Sequence, residues 1–272
     1  MDTSLITILA IIVSSIVAFF AFKFSKPSNK NSKLSYNDKV YLHANLELEL
    51  NKNDISNRYV RAEERVKKKD FKGAIEDIDM ILQHDNKNIV LVFKRGVTKF
   101  EIHNYKEALE DFSLVIKNNP TDPSAFYYRG LANLKLSNFS NAYNDFTSAI
   151  SLGLGDRYIF FNRGIVAMEL EKFYEAIDDF NFYLAENPLA IEAYFNRGIA
   201  YNKCGSYDFA LRDLNKTIEI NPNHEKAFFE RSFVKKNLND LEGYKADLNI
   251  SCLLYTSPSP RDRTRSRMPS SA

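Results

Sequence analysis

The sequence predicts an all-α protein built as a tandem array of helical pairs, and three columns of residues predict it. A small residue recurs every 34 positions, at Ala62, Gly96, Gly130, Gly164, Gly198 and Ser232. Twelve positions after each stand Ala74, Ala108, Ala142, Ala176, Ala210 and finally Tyr244; sixteen after stand Ile78, Phe112, Phe146, Phe180, Leu214 and Leu248. Just before each small residue is an Arg (Arg61, Arg95, Arg129, Arg163, Arg197, Arg231), matched 16 positions later by Asp77, Asp111, Asp145, Asp179, Asp213 and Asp247. Self-similarity at such a period marks a repeat architecture. The small residues let two helices approach, and the large ones fill the gap between neighbouring pairs.

Before the array, Ser4 to Phe22 carries no charge and, as a helix, would reach roughly 28 Å, the thickness of a hydrocarbon core. A cleaved signal peptide would want a basic residue before the run, a shorter run and small residues at its end. The sequence instead has Asp2 before it and Phe19, Phe20 and Phe22 closing it. Residues 1–24 are therefore expected to be a retained transmembrane anchor. Lys23, Lys26, Lys30 and Lys33 follow, which by the positive-inside rule puts the repeats in the cytosol. Residues 25–36 read as a polar tether and 37–54 as a lead-in helix with apolar Val40, Leu42, Leu46, Leu48 and Leu50.

Six repeats follow, at 55–88, 89–122, 123–156, 157–190, 191–224 and a truncated 225–251. Each is two short helices joined at a polar turn, followed in five repeats by an aromatic slot (Phe71, Tyr105, Phe139, Phe173, Tyr207). One pair cannot bury its own apolar face, but stacked neighbours can. Residues 252–262, CLLYTSPSPRD, match the translation of a transposase-type sequencing adaptor, so 252–272 is read as a non-native tail. A genuine basic Ser/Pro/Arg tail is the alternative. On the adaptor reading the natural chain is expected to continue past Ile250.

The tail matters for charge. The whole chain has 37 basic and 35 acidic residues; without the tail's four Arg and one Asp these become 33 and 34, a net of −1. No overall electrostatic case for nucleic acid remains. Outside the tail only Cys204 is left, so no internal disulfide is expected there. His43, His84, His103 and His224 lack metal-ligand spacing, and Gly153-Leu154-Gly155 falls in an inter-repeat turn rather than after a strand. No cofactor, metal or catalytic residue is expected, and the chain is not read as an enzyme.

The columns resemble the tetratricopeptide repeat family, whose signature sets a large residue, Leu-Gly, Tyr, Ala, an aromatic and Pro into 34 residues. The resemblance covers about 55–250, with Pro120, Pro188 and Pro222 near repeat ends. It departs at Asn86 and Leu154 in the Pro slot and at Tyr244. It implies a right-handed superhelical solenoid of helix-turn-helix repeats with a concave groove that binds a partner protein or peptide. Members that hold the acidic tails of cytosolic chaperones use two Lys, two Asn and one Arg. In repeats four to six Asn196 and Lys226 match, but Phe161, Ile165 and Glu230 stand where Lys, Asn and Arg are needed. Chaperone carboxylate-clamp binding is not expected.

A ligand-reading Arg has no reason to be matched by Asp at constant spacing, whereas an Arg at a packed seam must be paired. Arg95–Asp111, Arg129–Asp145, Arg163–Asp179 and Arg197–Asp213 are thus expected to be structural ion pairs. The groove candidates are Phe93, Tyr127, Phe161, Asn162, Phe195, Asn196, Lys203 and Lys226. The slot three before each small residue is aromatic throughout (Tyr59, Phe93, Tyr127, Phe161, Phe195, Phe229). The slot one after is apolar in five repeats (Val97, Leu131, Ile165, Ile199, Phe233). The rival reading buries both slots between repeats. The expected function is a membrane-anchored interaction scaffold. Alternatives are a mitochondrial outer-membrane import-receptor-like protein, a bacterial inner-membrane assembly scaffold, or the regulatory arm of an enzyme whose catalytic domain lies beyond this chain.

Overall fold

The computed structural model describes residues 35–51 and 54–256; the apolar run Ser4–Phe22, its Lys-rich flank and the chain beyond Thr256 lie outside them. Among the described residues there are thirteen α-helices and no strand. The described residues divide into two compact bodies, one up to Asn86 and one from Lys87 onward.

In the first body α1 (Tyr36–Leu50) packs on α2 (Ile55–Lys67), and α2 pairs with α3 (Phe71–His84). Ala44 and Leu48 bury the apolar side of α1. Its polar side is tied down by Arg61 donating to Asn45 at 3.3 Å and by a 2.8 Å ion pair between Lys68 and Asp38. Asp54 and Asp70 cap α2 and α3, each accepting from a backbone N–H of the first turn.

The second body holds ten helices: α4 (Ile89–Glu101), α5 (Tyr105–Asn118), α6 (Pro123–Lys135), α7 (Phe139–Ser151), α8 (Tyr158–Glu169), α9 (Phe173–Leu184), α10 (Ile191–Lys203), α11 (Tyr207–Ile220), α12 (Glu225–Asn237) and α13 (Leu241–Thr256). Even-numbered helices are the first (A) of each pair and odd-numbered the second (B). The last B helix, α13, runs through Ile250 as far as Thr256.

Each core cluster joins the B helix of one repeat to the A helix of the next. Ala142, Phe146 and Ala149 of α7 share one with Ile159 and Val166 of α8, and Ala210 and Leu214 of α11 share another with Ala227 and Val234 of α12. Phe112, Phe146 and Phe180 have no exposed surface, and each buried ring contributes about 1.5–3 kcal/mol. In the second to fourth repeats the glycine makes room for this ring: a Cβ on Gly164 would stand 2.8 Å from Phe180 Cε1.

The turn inside each repeat has one conformation throughout. Lys69, His103, Ser137, Glu171, Gly205 and Asn239 all have positive φ, from 58° to 73°. The residue after each donates to a carbonyl five positions back, as in Asn104 to Lys99, Asn138 to Asn133 and Lys172 to Ala167, at 2.8–2.9 Å. This is the Schellman ending of an α-helix. Only one of the six positions carries the glycine that a left-handed residue favours.

In the second body successive A helices also touch: α4 with α6, α6 with α8, α8 with α10 and α10 with α12. Successive B helices make no comparable contact. The A helices therefore form the inner, tighter layer of this body, and the B helices the outer one.

Candidate peptide-binding groove

Side chains three before and one after each small residue lie four apart on an A helix and share a face. On that face Phe93 (α4) is half-buried, edge-on to Tyr128 at 5.5 Å and 5.8 Å from Phe112. Tyr127 (α6) lies 6.0 Å from Phe146, and its hydroxyl accepts a hydrogen bond from Asn162 Nδ2 of α8 at 3.3 Å. Burial pushes the Tyr127 phenol up to about 12, so it stays protonated at any physiological pH. Phe161 (α8) rests 5.1 Å from Tyr183 and 5.9 Å from Phe180, and Phe195 (α10) 4.8 Å from the His224 ring. All of these rings are half-buried, between core and groove.

Of the polar candidates, Asn162 is engaged by Tyr127, Asn196 is half-buried, and Lys203 and Lys226 are exposed. The structure thus joins Tyr127 and Asn162 directly and sets the remaining candidates along the same inner layer. Glu230 on α12 is half-buried, and its carboxyl is raised above the usual range, mainly by burial, with the Lys203 charge opposing. Its column, two before the small residue, otherwise holds Val60, Lys94, Tyr128, Asn162 and Asn196, so the period marks the position but repeats no residue type there.

The Arg–Asp columns are contacts in all six repeats. Arg163 donates from Nε and Nη2 to the two carboxylate oxygens of Asp179, at 2.9 and 2.7 Å, and Arg197 and Arg231 engage Asp213 and Asp247 in the same fork. Arg61–Asp77, Arg95–Asp111 and Arg129–Asp145 complete the series. A third guanidinium nitrogen reaches back 16 residues to the preceding B helix. Arg129 donates to Ser113 Oγ, Arg163 to Thr147 Oγ1, Arg197 to Asn181 Oδ1 and Arg231 to Asn215 Oδ1. Each of these Arg residues therefore ties together three helices from two repeats.

A second partner of the Asp lies four residues after the Arg and varies. Arg65, Lys99, Asn133 and Lys235 reach Asp77, Asp111, Asp145 and Asp247 at 2.7–3.0 Å. Ala167 in the fourth repeat offers no donor. Burial raises the Asp179 carboxyl despite Arg163. At Asp247 burial is again the largest influence, but Arg231 and Lys235 together outweigh it and hold the carboxyl below its ordinary value.

Away from the inner face, a polar cavity of about 480 Å³ opens beside Arg129 and Asn133 and is lined further by Asn138, Asn141 and Asn144. Its two charged groups, Arg129 and Asp145, already satisfy each other. No cluster of His, Cys, Asp and Glu suited to a metal occurs among the described residues, and none of the described helices is long and apolar enough to cross a membrane.

Comparison with known proteins bears on one repeat and on the fold. Residues 191–224 match the family model for the tetratricopeptide repeat. No curated protein matches the chain. A solved structure described as YrrB, a TPR protein with an unusual peptide-binding site, is similar with a TM-score of 0.61 and 23% identity, over 68% of this chain and 95% of that one. A crystal structure of MamA aligns at 25% identity and a TM-score of 0.55, over 61% of this chain and 96% of the other. MamA from Desulfovibrio magneticus RS-1 aligns at 17% identity and 0.56, over 66% and 97%. The all-helical repeat array is thus a fold shared with solved tetratricopeptide-repeat structures, and the repeat carried by α10 and α11 matches that family's own model.

Proposed function

We propose that the second body is an interaction scaffold whose inner helix layer holds an extended or helical apolar segment of a partner protein. The observation that carries this reading is how the two kinds of column are used. The Arg and Asp side chains saturate one another at the helix seams. The aromatic and aliphatic side chains of the inner face stay half-exposed along adjacent helices. A row of such side chains offers pockets at regular intervals to a peptide laid across it. YrrB, similar in fold, is described as having a peptide-binding site, which agrees with this use of the architecture. Nothing in the site calls for catalysis.

Replacing Phe161 and Phe195 with Ala tests the reading. Both variants should keep their helix content by circular dichroism yet lose affinity for apolar dodecapeptides on a synthetic array. Because Phe161 also packs on Phe180, Asn196→Ala provides a variant outside the buried cluster. Unchanged peptide binding in all three, or loss of helix content in the two Phe variants together with unchanged binding in Asn196→Ala, would overturn the proposal.

The scaffold is further proposed to be tethered to a membrane by Ser4–Phe22 with its repeats on the cytosolic side, supported by the uncharged run and the four Lys after it. The same layout would serve an import-receptor-like protein. Protease added to intact cells or organelles reports the side on which the repeats lie. Glycan attachment at Asn138 or Asn215, each within an Asn-X-Ser/Thr triplet, would reverse the orientation.

A further inference from the structure

Repeats two and three surround the same column Asp with different side chains. In repeat two, Lys99 of α4 is buried and ion-paired with Asp111 and Glu107 of α5, at 3.0 and 3.3 Å. The matching positions in repeat three are Asn133, Asp145 and Asn141. All three line the polar cavity of about 480 Å³ between α5, α6 and α7. Asn133 is too short to fill the room that a lysine takes. In its floor Asn133 and Asp145 are 5% and 4% exposed, held by the 3.0 Å bond from Asn133 Nδ2 to Asp145 Oδ2. At its margin Asn141 and Asn144 are exposed and make no side-chain hydrogen bond among the described residues. In repeats four and five the Lys99 position is taken by Ala167, buried in a core cluster, and by Tyr201, which stacks on Phe209.

We propose that this cavity receives a lysine side chain of a partner protein, which brings Asp145 the second cation that repeats one, two and six supply from their own sequence. The forked pair with Arg129 does not stand in the way. Asp247 in repeat six makes the same fork with Arg231 and still holds Lys235 at 2.9 Å, although Gly243 stands where repeat two has Glu107. An Asp of this column therefore accommodates an Arg and a Lys without a second acid. A carboxylate offers about four lone-pair positions, enough for the fork and one further donor. The carboxamides suit the same guest. Asn133 donates to Asp145 now, and by turning over it presents its oxygen to an entering ammonium. Asn141 and Asn144 add neutral acceptors around the mouth, and –NH3+ carries three donors to share among them. A partner carboxylate would meet Asp145 with like charge. A small divalent ion would find one carboxylate here and the Arg129 guanidinium beside it, a poor set of ligands for a hard cation.

NMR titration of the full chain with N-acetyl-lysine amide tests this, with N-acetyl-norleucine amide and magnesium chloride as comparison probes at constant ionic strength. The lysine probe should shift the side-chain amide resonances of Asn133, Asn141 and Asn144 saturably, and the other two should not. Asn133→Lys places the chain's own cation on Asp145, as in repeats two and six, and should abolish the response at Asn141 and Asn144 with helix content unchanged. Asn141→Leu, at the exposed margin, should weaken binding of the lysine probe about tenfold by removing one bond to a charged donor. It decides the matter if Asn133→Lys fails to fold. No saturable response to the lysine probe, or an equal one to norleucine or magnesium, would overturn the proposal. So would a response that survives intact in a folded Asn133→Lys, or in Asn141→Leu. The cavity lies away from the inner face, so these outcomes are separate from those of the Phe161, Phe195 and Asn196 variants.

Discussion

Asp179 in the fourth repeat and Asp247 in the sixth occupy the same column, make the same forked contact with an Arg 16 residues earlier, and are both buried. They differ in their charged neighbours, since Asp178 and Glu175 add negative charge near Asp179. Lys235 brings a second cation to within 2.9 Å of Asp247, while the matching position beside Asp179 is Ala167. The carboxyl of Asp247 is held below its ordinary value and that of Asp179 is raised above it. A column uniform in sequence is therefore not uniform in energy. At Asp179 one guanidinium, opposed by the nearby Asp178 and Glu175 charges, does not fully offset the burial of the carboxylate, whereas at Asp247 two cations do.

The largest effect expected from this comparison follows removal of the Arg. Arg163→Ala leaves Asp179 buried with no cation and should destabilise the array by about 3–5 kcal/mol in urea unfolding. Arg231→Ala should cost less, because Lys235 remains on Asp247. Arg163→Met combined with Asp179→Leu should cost much less than Arg163→Ala, since no charge is left stranded. Equal losses for Arg163→Ala and Arg231→Ala would show that the second cation does not matter. A variant that melts like the parent yet loses its partner would make Arg163 a reader of ligand rather than a staple.

A second contrast lies in the steric column beside the first. Gly164 faces a Phe and Gly198 a Leu: an added Cβ would come to 2.8 Å from Phe180 Cε1 but 3.1 Å from Leu214 Cγ. Gly164→Ala should cost about 1–3 kcal/mol by overpacking. Gly198→Ala should be nearer to neutral, because Ala gains roughly 0.8–1 kcal/mol of helix propensity over Gly. Phe180→Leu introduced with Gly164→Ala should recover part of the loss. The first and last repeats already pair a larger small residue with a smaller partner, Ala62 with Ile78 and Ser232 with Leu248.

Smaller still is the proton-linked difference, and it has opposite signs at the two Asp residues. The folded pKa of Asp179 lies above the ordinary 3.8, so its contribution is most favourable below 3.8 and is lost as pH rises through the raised value. For Asp247 the stabilisation is present above 3.8 and is lost as pH falls through the lowered value. In stability measured against pH, Asp179→Asn should gain on the parent as pH rises across its window, and Asp247→Asn should fall behind. Parallel curves for the two variants would remove the distinction.

Periodicity made the array legible because every repeat solves the same packing problem, so Gly164 and Phe180 recur as a pair wherever the chain needs them. The Arg and Asp spacing was legible for the same reason. The position four after each Arg was not, because Arg65, Lys99, Asn133, Ala167, Tyr201 and Lys235 share no type, and its effect is read only in burial and distance. The groove was legible as a face but not as a surface. An aromatic residue in the Phe161 slot serves a core and a groove equally well in sequence, and its half-burial against Phe180 belongs partly to both. Glu230 stands in a column that otherwise holds Val60, Lys94, Tyr128, Asn162 and Asn196, so no residue type recurs there to announce a role.

The smallest expected effect concerns the turns, whose conformation the sequence conceals. Gly205 is the one glycine among six residues with positive φ at the same step of the repeat; Glu171 in the preceding repeat adopts φ 58° with a full side chain. A left-handed residue with a Cβ costs roughly 1–2 kcal/mol, and glycine avoids this while losing about 0.5–1 kcal/mol more backbone freedom on folding. Glu171 is exposed, so its side chain gives up little packing when removed. Glu171→Gly should therefore stabilise the fourth repeat by about 0.5–1 kcal/mol, seen as a higher Tm and slower amide exchange in α8 and α9. Gly205→Ala should shift the fifth repeat the other way by a similar amount. Asn239→Gly should change little, because Asn tolerates the left-handed region better than Glu. If Glu171→Gly lowers the Tm, the Glu side chain contributes more to this turn than its strained backbone costs, and the six turns are not equivalent in energy despite their shared geometry.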